Sequence, residues 1–158
     1  DVAVVVPSTW DLDSFLLDGG SGSWTHLGEP EADEHVRELL DLVVSSFEDV
    51  GTSRVVFLTM PPPVSGVSEG EATRHRERAA VYDAMIREVA ERDEDVLVLD
   101  YGAWLESLGS ERLDEVLPDG VHATAESSTI IWEEFLAPGL AAGARLESAA
   151  GHGRRLSG

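Results

Sequence analysis

The stretch "RVVFLT", residues 54–59, decides the fold. After Arg54 come Val55, Val56, Phe57 and Leu58 without a polar interruption. A strand with one face in water alternates apolar and polar residues. This run does not, so both of its faces call for cover, as in the interior of a parallel sheet. The next stretch, "MPPPVSGVSEGEA" (60–72), carries three successive prolines, which exclude helix and stiffen a loop. Upstream, Val36, Leu39, Leu40, Val43, Val44 and Phe47 recur at steps of three and four. That spacing predicts an amphipathic helix over 31–48, stopped by Gly51. Downstream, Ala80, Met85, Ile86 and Val89 mark the apolar side of a second helix over 73–92. Beyond the helices lie "VAVVV" (2–6) and "VLVLD" (96–100), read as two more buried strands.

Buried strands alternating with amphipathic helices predict an α/β domain, a parallel sheet with helices on both faces. In such sheets function gathers at the carboxyl ends of the strands. The segments 7–24, 60–72 and 101–124 are therefore where chemistry is expected.

The remainder reads as connection. "STWDLDSFLLDGGSGSW" (8–24) is a Gly/Ser-rich loop, and "YGAWLESL" (101–108) a short helix. The last helix is predicted over 125–136, with Thr124 as its N-cap. Past Gly139 the chain turns to Gly, Ala, Ser and Arg. The expected layout is one domain over 1–140 and a disordered tail over 141–158. No internal repeat is visible.

At 158 residues the chain is long enough for a real core, burying about 70% of its unfolded surface. Its 31 acidic against 11 basic residues give a net charge of -20. Phosphate backbones and anionic membranes are repelled, so no nucleic-acid partner is expected. All the basic residues are arginine. The absence of cysteine excludes disulfides, thiolate metal sites and a cysteine nucleophile. No apolar run is long enough to span a bilayer, and no signal peptide is visible. An opening Asp1 that leads straight into a strand is read as the start of a piece cut from something longer.

Chemistry points first to "DGVH", Asp119 to His122. A histidine base works best when a carboxylate holds its far nitrogen, fixing the tautomer and stabilising the imidazolium. Three residues in one tight turn can bring the two together, with Gly120 allowing the bend. Taken alone the pattern is equally a common Asp-Gly turn with an incidental histidine.

Its setting adds to this. "VAVVVPSTW", "VVFLTMPPP", "VLVLDYGAWL" and "DGVHAT" follow one another in an order that resembles the C-terminal part of the SGNH, or GDSL-type, hydrolases. The similarity is greatest to the SGNH-like domains attached to membrane-bound O-acyltransferases of cell-surface sugars, and it covers residues 1–140. It implies a three-layer flavodoxin-like sheet of which the third to fifth strands are present. It implies that His122 takes a proton from a serine while Asp119 orients it. The substrate would be an acyl ester, on carbohydrate outside the cytoplasm or on the outer side of a membrane. The partner would be an attached membrane acyltransferase domain, and no cofactor is implied. The alternative is a catalytically silent SGNH-like module supporting such an acyltransferase.

This chain departs from the family pattern in two places. The Gly-Asp-Ser that bears the nucleophile is absent. Where the wider family has Gly-x-Asn as an oxyanion donor, this chain reads Ser8-Thr9-Trp10-Asp11, kept as the substrate or oxyanion loop. "DLDSF" (11–15) offers Ser14 as an alternative nucleophile. However, Leu12 stands where the sharp turn needs glycine, and the motif lies beyond the strand end. Ser8, Ser21 and Ser23 lack the motif altogether.

The other candidates have plainer readings. His26, His35 and His75 show no metal-ligand spacing and read as surface residues; no metal is expected. Trp10, Trp24, Trp104 and Trp132 read as packing residues, with Trp10 also a candidate to line a substrate site. Arg74, Arg76 and Arg78, near Glu71 and Glu77, read as a solvated, salt-bridged helix face.

Overall fold

In the computed structural model, residues 1–8, 12–17, 23–64 and 66–143 are described. They form two compact units, Asp1–Glu106 and a second that begins at Ser107.

The first unit is built on a three-stranded parallel sheet, β1 (Val2–Val5), β4 (Arg54–Leu58) and β5 (Val96–Leu99), in the order β1-β4-β5. The register pairs Val2 with Arg54 and Val55 with Val96. Ser53 anchors its start: its amide and hydroxyl both donate to the Asp1 carbonyl, at 3.0 and 2.7 Å. A two-residue hairpin, β2 (Phe15–Leu16) with β3 (Trp24–Thr25), lies in the segment read as loop. Isolated pairs that short leave no periodic signal.

The central strand is as buried as its sequence demands: Val56 and Phe57 are fully inaccessible, Val55 and Leu58 nearly so. β1 is less buried than its apolar run alone implies, as a strand at the open edge of the sheet is. Val2 is 51% exposed and the rest of the strand half-buried. The reason is position. β1 pairs with β4 on one side and, among the described residues, with no strand on the other.

Helices α1 (Pro30–Asp49) and α2 (Glu69–Arg92) make the two crossovers. Both pack on the sheet face that presents Val55 and Phe57, where Leu40, Val44, Tyr82, Met85, Ile86 and Val89 join one core. α1 ends as its glycine predicts. Gly51, at φ +82°, donates to the Glu48 carbonyl and Thr52 to that of Phe47, a paired closure that satisfies the last orphan carbonyls. α2 begins four residues before the predicted start at 73. Ser68 accepts from the Glu71 amide while Glu71 bonds back to the Ser68 amide, a reciprocal cap.

The second unit holds α4 (Ser110–Val116) and α5 (Ala125–Ile131), after α3 (Tyr101–Ser107) has closed the first. α4, unforeseen from sequence, is tied to the chain beyond α5 by Arg112, which pairs with both Glu115 and Glu134. After α5 the helix widens into a π turn, Trp132–Leu136, and then continues over 137–143. Pro138 explains the widening. Its ring would clash with the carbonyl four residues back in a regular helix, and it has no N–H to donate. The Ala137 amide reaches five residues back, to Trp132. Helix thus occupies 141–143, where the tail was expected to begin; residues 144–158 lie outside the described residues.

Candidate functional site

Asp119 and His122 stand in the turn joining α4 to α5. α4 stops at Leu117, whose carbonyl accepts from the Gly120 amide at 2.8 Å. Gly120 sits at φ +80°, a conformation that side-chain-bearing residues rarely adopt, and this bends the chain back. The bend lets Asp119 Oδ1 accept from the amides of Val121 (2.9 Å) and His122 (2.7 Å). Asp119 Oδ2 then lies 2.8 Å from Nδ1 of His122. Beyond the turn Thr124 caps α5 as predicted. It accepts from the Ser127 amide at 3.1 Å, and Ser127 Oγ accepts from the Thr124 amide at 2.8 Å.

The electrostatics follow from these bonds. The His122 amide, then its imidazole and the Val121 amide, hold the Asp119 carboxyl well below the usual carboxylate range. An ionised carboxylate only accepts, so the proton of a neutral His122 must sit on Nδ1. That leaves the Nε2 lone pair directed outward, with no hydrogen-bond partner among the described residues. The side chains are 77% and 59% exposed. The turn therefore presents an oriented imidazole able to accept a proton at Nε2 and share the resulting charge with Asp119.

Of the other predicted residues, Ser8 lies exposed just past β1, while Thr9, Trp10, Asp11 and Ser21 lie outside the described residues. Ser14 is exposed just before β2, and its φ is negative, unlike that of a strained nucleophile turn. Ser23 is also exposed. His75 is not a free surface histidine: Nε2 donates to the Pro61 carbonyl at 2.8 Å. His26 bonds the Leu27 carbonyl through Nδ1, and His35 lies near the Phe15 ring. Two of the tryptophans depart from the packing expectation and Trp104 follows it. Trp24 and Trp132 are 69% and 52% exposed, and Trp104 stacks on Tyr101 at 5.8 Å.

A second polar cluster, not foreseen from sequence, lies in the first unit where β4 and β5 end. Thr59, fully buried, donates its hydroxyl to Asp100 Oδ1 at 3.0 Å and accepts from the Gly102 amide at 2.9 Å. Asp83 on α2 accepts from the Met60 amide at 2.9 Å, and Arg87 reaches Asp100 Oδ2 at 3.4 Å. Burial pushes the Asp83 carboxyl above its ordinary value. A Cβ on Gly102 would come within 2.3 Å of the Met60 carbonyl oxygen, so α3 starts against the end of β4 with no room for a side chain. The cluster fronts an open hollow of about 300 Å³. Its carboxylates are already bonded to Thr59, to the Met60 and Ala103 amides and to Arg87, so it fastens β4, β5, α2 and α3 together. Among the described residues no group of histidines and carboxylates is arranged to hold a metal ion.

No known family profile matches the chain, and no curated protein is significantly similar to it.

Proposed function

We propose that this chain is part of an SGNH-type esterase or O-acyltransferase domain in which Asp119 and His122 are the acid and base of a Ser-His-Asp triad. The reading rests on one observation: the carboxylate lies 2.8 Å from Nδ1 and leaves Nε2 open. The parallel order β1-β4-β5, with both crossover helices on one face, supports it, since the third to fifth strands of a flavodoxin-like sheet run that way.

In this reading the serine is supplied from outside these residues. Its hydroxyl attacks the acyl carbonyl while its proton passes to Nε2 of His122, and Asp119 stabilises the imidazolium. The tetrahedral adduct collapses, His122 returns the proton to the leaving alcohol, and an acyl-serine remains. Water or a carbohydrate hydroxyl then attacks the acyl group, giving up its proton to Nε2; the bond to serine breaks, His122 returns that proton to the serine oxygen, and the acid or the new ester leaves.

The test uses the complete parent protein and ester turnover. His122→Ala is expected to cost about 10³-fold or more, and His75→Ala little. Equal losses from the two substitutions would sink the assignment. The 158-residue chain alone is expected to hydrolyse p-nitrophenyl acetate no faster than buffer does. Turnover abolished by Ser14→Ala would move the nucleophile into "DLDSF".

The second reading is a silent SGNH-like module that supports an attached membrane acyltransferase. The exposure of both triad-like side chains favours it, because a working dyad is normally shielded from water. A parent protein with no Gly-Asp-Ser after a buried strand would select this reading.

A further inference from the structure

Five arginines of this acidic chain face carboxylates directly. Arg37 faces Glu88, Arg76 faces Glu69, Arg87 faces Asp100, Arg92 faces Asp41, and Arg112 faces Glu115 and Glu134. Of the salt-bridged face expected at 74–78, Arg76 makes a direct ion pair among the described residues, while Arg74 and Arg78 act on Glu71 and Glu29 through space. Arg78 is half-buried and donates to the Leu12 carbonyl at 2.6 Å. Arg74, one turn earlier on α2, makes no hydrogen bond and no direct ion pair among the described residues. The carboxylate closest along the chain, Glu71, feels the charge of Arg74 but bonds elsewhere, its Oε2 accepting from the Ser68 hydroxyl at 2.6 Å.

Arg74 and Arg78 line the same open cavity, of about 310 Å³, and Leu12, Pro63, Val64 and Val67 form its apolar wall. A guanidinium that makes no direct hydrogen bond or ion pair among the described residues keeps its donors open to an anion from outside. The guanidinium fork matches a carboxylate or a phosphate. The surroundings choose between them. Asp13 and Glu71 also border the cavity, so the two guanidinia are balanced and each further ligand charge meets repulsion. A monoanion is tolerated better than a dianion.

We propose that this cavity binds a small organic carboxylate, a monoanion with a short apolar body. Its carboxylate bridges Arg74 and Arg78, and its body rests on Pro63, Val64, Val67 and Leu12. The site lies wholly within the first unit and does not rest on the Asp119–His122 reading.

The test is an amide-shift titration of the 158-residue chain at fixed ionic strength, with hexanoate, hexanamide and inorganic phosphate as probes. Hexanoate is expected to shift the amides of Leu12, Val64 and Val67 saturably, hexanamide not to, and phosphate to bind more weakly than hexanoate. Arg74→Gln should weaken hexanoate about tenfold or more, since it removes a charge-assisted contact. Arg76→Gln, which removes the same charge outside this cavity, should leave it within about twofold. Arg74 bonds no other described residue, so its loss tests binding apart from folding; the three-probe comparison on the unchanged chain needs no variant at all. Equal shifts from hexanoate and hexanamide, tighter binding of phosphate, no saturable shift, or equal losses from the two arginine substitutions would each overturn the proposal.

Discussion

The Asp119 turn and the junction around Thr59 are both hydrogen-bonded polar clusters, but they are built over different spans of chain. In the turn every bond joins residues two or three apart, and both side chains face water. At the junction Thr59 bonds residues 41 and 43 positions away, and Asp83 one 23 positions away. The first cluster can rearrange without disturbing the core, and its imidazole is free to react. The second is bound into the ends of two strands and two helices, and its groups are committed to holding them. One has the freedom that chemistry needs; the other has the coupling that stability needs.

The contrast is tested most severely at Gly102. Gly102→Ala should destabilise the first unit by about 2 kcal/mol or more, because the clash is with backbone that cannot step aside. Gly109→Ala, where a Cβ meets nothing within 4 Å, should stay within about 0.5 kcal/mol. Denaturant unfolding of the two variants decides; equal effects would mean that the end of β4 yields easily.

Thr59→Val should cost about 1–3 kcal/mol by the same measurement, since it keeps the shape and strands the buried Gly102 amide without an acceptor. A neutral result would mean that water enters the junction and replaces the hydroxyl.

Asp83→Asn should act in the opposite direction and more weakly. Burial raises the folded carboxyl above its unfolded value of about 3.9, so between the two values the folded chain holds a proton that the unfolded chain has lost. Stability then falls as pH rises through that window and stays reduced above it. Asparagine still accepts from Met60 and escapes this cost. The variant should therefore gain on the parent as pH rises from about 4, read as the difference between their unfolding midpoints. A constant difference across pH would remove Asp83 as the cause.

The smallest global effect belongs to Asp119→Ala. Unfolding midpoints should barely move, while imidazole nitrogen shifts report loss of the fixed Nδ1–H tautomer. In the parent the Asp119 carboxyl is held low. Its contribution is therefore complete above the unfolded value and fades only as pH falls through the lower folded one. The Val121 and His122 amides should accordingly pass through the ordinary aspartate range, about pH 3.9, without a titration step. A step there would show that the turn does not hold the carboxylate.

The same difference in span governs what could be read in advance. Asp119, Gly120 and His122 were legible because one turn contains the whole arrangement, and Thr124 because a cap is local. The three strands were legible because uninterrupted apolar runs have few other uses. Thr59, Asp83, Asp100 and Gly102 were invisible because only the packed sheet brings them together. The start of α2 was misplaced although Ser68 and Glu71 carried a capping signal, because three prolines and two glycines nearby argued for loop. The last helix outran its predicted end because a π turn accommodates Pro138, and no simple periodicity announces that. Arg74 was read as one of a charged face, since the absence of a direct hydrogen bond is a property of three-dimensional neighbours.

The edge of the sheet has a consequence for how copies of this chain behave together. Among the described residues β1 has no strand beside it on one side, and Val2 and Val6 there are 51% and 64% exposed. Such an edge is a template for another strand, and natural edges are usually protected by a charge, a proline or a bulge. Here the strand itself carries none, and what stands between two edges is the long-range repulsion of two chains each of net charge -20. That protection is colloidal and not built into the strand, so it depends on the solvent. Its reach shrinks from about 30 Å at 0.01 M salt to about 3 Å at 1 M. At low ionic strength the chains repel before their edges can meet; at high ionic strength the edges come within contact of one another, and salt becomes the variable that sets whether this chain stays single.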